Sequence, residues 1–311
     1  YRLMGRYEEA LPDFDRAIEL DGTYAWAFAE RAETHRLTGR HTEALADFDR
    51  SIDLDDSDAW SLASRGQTHQ ALGHLDEAVA DFDRALVLAP EMPWAVVSRG
   101  QVHDGLQHYA EALADFDRAV ELIPRDPWTL TCRGRHHHRR GRRSEALADF
   151  DRAIELDDTY TWAIAGRAMT CLTLRRYDEA LIGYSRALEL HPNEAWYHFG
   201  CAVALRLLGR PGEDARWSRA VEILSRDATD DGLRTTYPRG NLLVVRCAMG
   251  DTQEVAWELE RFLADGPDAP RIREALNDLS DLQEARAVEP SLLQPLCRRL
   301  EAVHEELTST G

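Results

Sequence analysis

EALADFDRSIDL at residues 43–54 returns as EAVADFDRALVL at 77–88, EALADFDRAVEL at 111–122 and EALADFDRAIEL at 145–156. The step is 34 residues each time, and it extends well beyond these blocks. Tryptophan keeps the same step at Trp26, Trp60, Trp94, Trp128, Trp162 and Trp196. A fixed period in this range identifies a stack of similar units, each too small to bury its own apolar face and completed by its neighbours. Within a block, Ala44, Phe48 and Ser51 stand at i, i+4 and i+7, which places them on one stripe of a helix. The stripe recurs as Ala10, Phe14, Ala17 and as Ala78, Phe82, Ala85, and again from Ala112, Ala146 and Ala180. Small residues let a neighbouring helix approach, and the aromatic ring fills the space that remains.

A second helix precedes each block, with Ala32, Gly66, Gly100, Gly134 and Ala168 on its packing face. Gly5, Gly39, Gly73, Gly141 and Gly209 stand where that helix must stop and turn. Pro90, Pro124 and Pro192 close the block helix, since proline cannot continue it. Each unit is therefore expected to be helix, tight turn, helix.

This arrangement resembles the tetratricopeptide repeat: a small residue at the eighth position, glycine at the fifteenth, alanine at the twentieth, an aromatic at the twenty-fourth, alanine at the twenty-seventh and proline near the thirty-second. The resemblance covers residues 1 to about 226, with a partial first unit. It implies an all-α fold, a right-handed superhelical solenoid whose concave groove binds peptides or protein segments. Residues 227–311 form a second region. An eroded unit is expected over about 235–264, with Gly250 at its turn. Capping helices follow at 270–285 (Ile272, Leu276, Leu279, Leu282) and 290–307 (Leu292, Leu296, Leu300, Val303, Leu307). In the unit from about 193, Ala215, Trp217 and Ala220 replace the small–aromatic–small pattern one residue out of phase.

Composition narrows the function. The chain has 311 residues, a formal charge of −19 and no lysine, a bias expected of a GC-rich, actinobacterial genome. A phosphate-gripping GxxxxGK[ST] loop is impossible without lysine, and the acidic balance argues against nucleic acid or anionic membrane as partners. Cys132, Cys171, Cys201, Cys247 and Cys297 form no CxxC pair and are expected to be reduced thiols of a cytoplasmic protein. No apolar run approaches the ~18 residues of a membrane span. No HExxH, GxSxG or other catalytic motif occurs. A binding protein is expected, without enzyme activity, cofactor or metal. Because the chain starts in mid-repeat, the alternative is a C-terminal sensor domain of a larger signalling protein, such as a signal-transduction ATPase.

Four features carry the candidate site. Arg31, Arg65, Arg99, Arg133 and Arg167 each follow an aspartate by 18 residues (Asp13, Asp47, Asp81, Asp115, Asp149) and are expected to bridge adjacent repeats. Asp15, Asp49, Asp83, Asp117 and Asp151 stand 16 residues before the same arginines and offer the same bridge between adjacent repeats. The expectation rests on a coincidence: where Gly183 replaces the aspartate, Cys201 replaces the arginine. His35, His69, His103 and His137 form a second ladder, with Tyr1 and Cys171 in phase. Successive repeats lie on the order of 10 Å per helix layer apart, too far for ligands that must close to ~2 Å around zinc, so these are read as core residues. Trp60, Trp94, Trp128 and Trp162 either line the groove or pack on the neighbouring repeat. Finally, RGRHHHRRGRR at 133–143 concentrates positive charge in an acidic chain. Arg135, His138 and Arg139 fall on the positions that line the groove in the resembling family, where other repeats carry Glu33, Gln67 and Gln101. They are expected to anchor an acidic segment or a chain terminus; the plainer reading is a solvated basic turn.

Overall fold

The computed structural model describes residues 6–228 and 238–309. The described residues form seventeen α-helices, and the chain divides into two compact units, Tyr1–Pro124 and Arg125–Gly311. The first unit opens with α1 (Tyr7–Leu20), the second helix of a partial repeat. Three hairpins follow: α2 (Ala25–Leu37) with α3 (His41–Leu54), α4 (Ala59–Ala71) with α5 (Leu75–Leu88), and α6 (Pro93–Gly105) with α7 (Tyr109–Leu122). The second unit has five hairpins. They are α8 (Pro127–Arg139) with α9 (Arg143–Leu156), α10 (Thr161–Thr173) with α11 (Tyr177–Leu190), α12 (Ala195–Leu207) with α13 (Glu213–Asp227), α14 (Pro238–Met249) with α15 (Thr252–Ala264), and α16 (Ala269–Glu284) with α17 (Pro290–Ser309).

Backbone chemistry sets the hairpin turns. Gly39, Gly73, Gly141 and Gly209 take φ of 76°, 80°, 72° and 62°, a left-handed conformation in which glycine has no Cβ to clash. The next amide reaches back to a carbonyl near the helix end: Arg40 N donates to His35 O at 2.8 Å and His74 N to His69 O at 2.9 Å. This pattern satisfies carbonyls that the ending helix leaves without partners. Two repeats make the same turn without glycine, at Gln107 (φ 63°) and Arg175 (φ 60°). Gly5 and Tyr1 lie outside the described residues.

Inside each hairpin the aromatic of the block is the core. Phe48, Phe82 and Phe116 are buried in the first unit, and Phe150 and Tyr184 in the second. The glycines opposite them are there for proximity. A Cβ on Gly100 would sit 3.0 Å from the Phe116 ring, and one on Gly134 2.9 Å from that of Phe150. The next repeat approaches from the other side: a Cβ on Gly200 would stand 2.4 Å from the Tyr184 ring. Burying one such ring stabilises the stack by about 1.5–3 kcal/mol.

The degenerate repeats keep the principle and change the details. Trp217 and Ala220 are buried with Ile223 and Leu224 on α13, but Ala215 is exposed. The anticipated Ala215–Trp217–Ala220 triplet therefore packs through its last two members only, because residues 215 and 217 are about 200° apart on a helix. Helices α14 and α15 form the eroded unit, with Gly250 at φ 81° and Gly240 against the Phe262 ring. Residues 235–237, where that unit was expected to begin, lie outside the described residues. On α17 the buried leucines are Leu293, Leu296 and Leu300, whereas Leu307 is exposed.

Within each unit, adjacent first helices touch one another, α2 with α4 and α4 with α6, α8 with α10 and α10 with α12. The tryptophan, arginine and histidine ladders and Arg135, His138 and Arg139 lie on these first helices, and the ladder aspartates on the second helices.

Candidate partner-binding site

The tryptophan ladder starts each first helix. Asp58 caps α4 by accepting a hydrogen bond from Trp60 N at 3.0 Å, an arrangement that fixes where the indole leaves the backbone. The ring then meets the aromatic of the preceding block edge to face: Trp60 lies 6.3 Å from Phe48 and Trp26 lies 6.2 Å from Phe14, centroid to centroid. Trp60, Trp94 and Trp128 are half-buried. Trp26 and Trp162 are 54% and 62% exposed. An edge contact thus ties Trp26 and Trp60 to the preceding block, while Trp26 and Trp162 keep more than half of their surface open to solvent.

The arginine ladder requires a correction. Arg31, Arg65, Arg99 and Arg167 are each held by two carboxylates and Arg133 by Asp149, and none of these is the predicted first choice. Arg99 donates from Nε and Nη2 to both oxygens of Asp115, at 2.9 and 2.6 Å, and from Nη1 to Asp83 at 2.7 Å. Arg31 does the same with Asp47 and Asp15, and Arg65 with Asp81 and Asp49. In the second unit Arg133 holds Asp149 by two bonds, at 2.9 and 2.7 Å. The bidentate partner therefore lies 16 residues after the arginine, on the second helix of the same hairpin. Asp13 is exposed, and Asp47, Asp81 and Asp115 are spent on Arg31, Arg65 and Arg99. The link to the neighbouring repeat runs through Asp15, Asp49, Asp83 and Asp151.

Two separate losses produced the coincidence that misled the sequence reading. Gly183 removes the bidentate partner of Arg167, which turns to Asp151 at 2.6 Å and Glu179 at 3.5 Å. Cys201 faces Ser185 at 3.9 Å, a neutral pair where other junctions have an ion pair. Hydrogen bonding to the carboxylates pushes the guanidinium pKa of Arg31, Arg65 and Arg99 upward, against the opposing effect of burial.

The histidine ladder lies beside these pairs. His35, His69 and His137 approach Asp47, Asp81 and Asp149 at 3.9 Å. Burial holds the four ladder histidines below the ordinary imidazole pKa. Among the described residues no three His, Cys, Asp or Glu side chains gather as metal ligands. Burial also raises the thiol pKa of Cys171, Cys201 and Cys297, and that of Cys247 to about 12, which disfavours the reactive thiolate.

Arg135, His138 and Arg139 lie on α8 and meet the chain's own α16. His138 is buried. Its Nδ1 contacts Thr170 Oγ1 at 2.9 Å, and its Nε2 lies 3.0 Å from Asp281 Oδ1. The Thr170 hydroxyl donates to the Gly166 carbonyl at 2.8 Å. A hydroxyl has a single proton, so toward His138 it can only accept, and both ring nitrogens face acceptors. Arg135 retains accessible surface while protein crowds it, and its pKa is lowered by that crowding and by Arg139. Glu274 and Asp278 of α16 provide the opposing charge. Crowding, together with Glu274 and Asp281, pushes the Asp278 carboxyl well above the ordinary carboxylate range. At the rim Arg143 bonds Glu284, and Tyr177 Oη donates to the Ala285 carbonyl at 3.0 Å.

Sequence reasoning missed Glu274, Asp278, Asp281 and Glu284. The signal was present: the first three stand at i, i+4 and i+7, one acidic stripe beside the apolar stripe of Ile272, Leu279 and Leu282.

Comparison with known proteins agrees with this architecture. The tetratricopeptide repeat family matches residues 2–59 and 64–127. No curated protein matches the sequence. Similar solved structures include a chain of the APC/C hetero-tetramer Cut9–Hcn1, with TM-score 0.65 and 17% identity over 75% of this chain and 46% of that longer one. A tetratricopeptide repeat protein from Parabacteroides merdae gives 0.59 and 18% over 82% of this chain and 98% of that one. PilW, a type IV pilus biogenesis factor, gives 0.58 and 18% over 68% and 97%. At these identities the likeness concerns the fold.

Proposed function

We propose that this chain, of which residues 2–59 and 64–127 match the tetratricopeptide repeat family, is a protein-binding scaffold that holds a peptide or protein segment on the first-helix layer of its repeats. One observation carries the reading: tryptophans at a constant 34-residue step keep ring surface open, up to 62% at Trp162. Leaving large aromatics open in a row is costly, and rigid aromatics anchor interfaces at small entropic cost. In the first unit Trp60 and Trp94 provide apolar contact. In the second unit Trp128 and Trp162 do so, with polar anchoring from Arg135, His138 and Arg139. Residues 227–311 act as the cap of the array, covering the apolar face that the last regular repeat would otherwise expose. Among the described residues no helix is long and apolar enough to cross a membrane.

The test is capture from a lysate of the source organism. Wild type is compared with Trp60→Ala/Trp94→Ala and with Trp162→Ala/Arg135→Glu, after circular dichroism establishes that all are folded. A partner held by wild type and lost by one variant supports the reading and tells which unit holds it. Equal recovery by all three sinks it. A second reading, a regulatory domain of a longer protein, draws on α16 lying over the basic face. It requires that mutating this contact change an activity located elsewhere in that protein.

A further inference from the structure

The basic face of the second unit is occupied by a segment of the same chain, and that segment has the chemistry expected of a ligand. Helix α16 turns Glu274, Asp278 and Asp281 toward Arg135, His138 and Arg139 and finishes against Arg143 and Tyr177. We infer that this face is a receptor for an acidic amphipathic helix, that α16 is its resident occupant, and that a partner helix with carboxylates at the same i, i+4, i+7 spacing enters by displacing it. The inference rests on the binding role proposed above and names the partner of that site.

Three observations support displacement. First, the contacts to the face are polar. The apolar stripe of α16 (Ile272, Ala275, Leu279) is buried on another side of the helix, against α10, α14 and α17, so an incoming helix must bring an apolar stripe of its own to replace it. Second, the rim contact is open to water: the Glu284 side chain that bonds Arg143 is exposed, and solvent screens that ion pair. Third, His138 presents a ring nitrogen to a carboxylate from a buried position, with Thr170 fixing the other nitrogen. That geometry selects a carboxylate; an apolar helix would leave it unsatisfied.

The test is fluorescence anisotropy with a labelled synthetic peptide of residues 268–286 and the full chain at low ionic strength. A tethered segment competes at an effective concentration of about millimolar, so wild type is expected to bind the peptide weakly. Asp278→Asn/Asp281→Asn/Glu284→Gln weakens the resident helix and is expected to bind the same peptide at least tenfold tighter, with faster hydrogen exchange over 269–284. Adding Arg135→Glu and Arg139→Glu should abolish the gain, and a peptide carrying the Asn and Gln substitutions should not bind. If the triple variant folds poorly, Arg143→Gln/Tyr177→Phe loosens the rim and should give the same direction of change. The inference is overturned by equal peptide affinity in wild type and loosened variants, by unchanged exchange over 269–284, or by binding insensitive to charge. A dimer formed by hairpin exchange in the loosened variants also overturns it, since a second copy would then be the occupant. Capture through Trp60 and Trp94 is read separately, so its survival alongside any of these results leaves the general binding role standing.

Discussion

Arg99 offers a quantitative test of how the repeats are joined. Its guanidinium is shared between Asp115, whose side chain is 8% exposed, and Asp83, whose side chain is 55% exposed. Removing one partner of a buried, hydrogen-bonded pair leaves a charge without compensation and costs about 3–5 kcal/mol. The Arg99 side chain is itself 25% exposed, and water screens part of that loss. The expected cost of Asp115→Ala is therefore at the lower end, about 3 kcal/mol. An ion pair with a mostly exposed partner contributes about 0.2–1 kcal/mol, which sets the expected cost of Asp83→Ala. Replacing both members, Arg99→Leu with Asp115→Leu, removes the stranded charge and should cost less than Asp115→Ala alone. Urea unfolding followed by circular dichroism measures all three, with the m-value checked because repeat arrays can lose two-state cooperativity. If Asp83→Ala costs as much as Asp115→Ala, the hairpin-internal pair is not the dominant one and the reasoning fails.

Further predictions concern the turns, the core and pH. Gln107→Gly and Arg175→Gly relieve left-handed backbone at φ 63° and 60° and should each raise stability by about 1 kcal/mol; a lower urea midpoint would contradict this. Gly200→Ala drives a methyl into the Tyr184 ring and should cost about 1–3 kcal/mol, read from the same unfolding curves. The ladder histidines have folded-state pKa values below the ordinary one, chiefly through burial. Their neutral form is thus favoured by folding. The stability they contribute is complete above about pH 6.5 and is lost as pH falls below it. The melting temperature should drop on acidification from pH 7 toward 5.5, and less steeply in His69→Phe/His103→Phe; equal slopes would refute the assignment.

Sequence alone determined the fold class and the geometry of the hairpins. The 34-residue step and the alternation of small and aromatic residues are local requirements written once per repeat, and glycine marks the turn in most of them. Copying them leaves little freedom, since a ring such as Phe116 fits only where the facing residue is as small as Gly100. Sequence also marked Arg135, His138 and Arg139 as a concentration of charge. Tertiary structure decided which carboxylate each charge meets. Asp47 and Asp49, or Asp81 and Asp83, have the same type and nearly the same position in sequence, and only the turn of the helix separates one that faces its own hairpin from one that faces the next. The pairing of α8 with α16 was further from reach. His138 and Asp281 lie 143 residues apart and belong to elements of different repeat character. A contact of that separation depends on how successive hairpins stack, and no periodic signal encodes it.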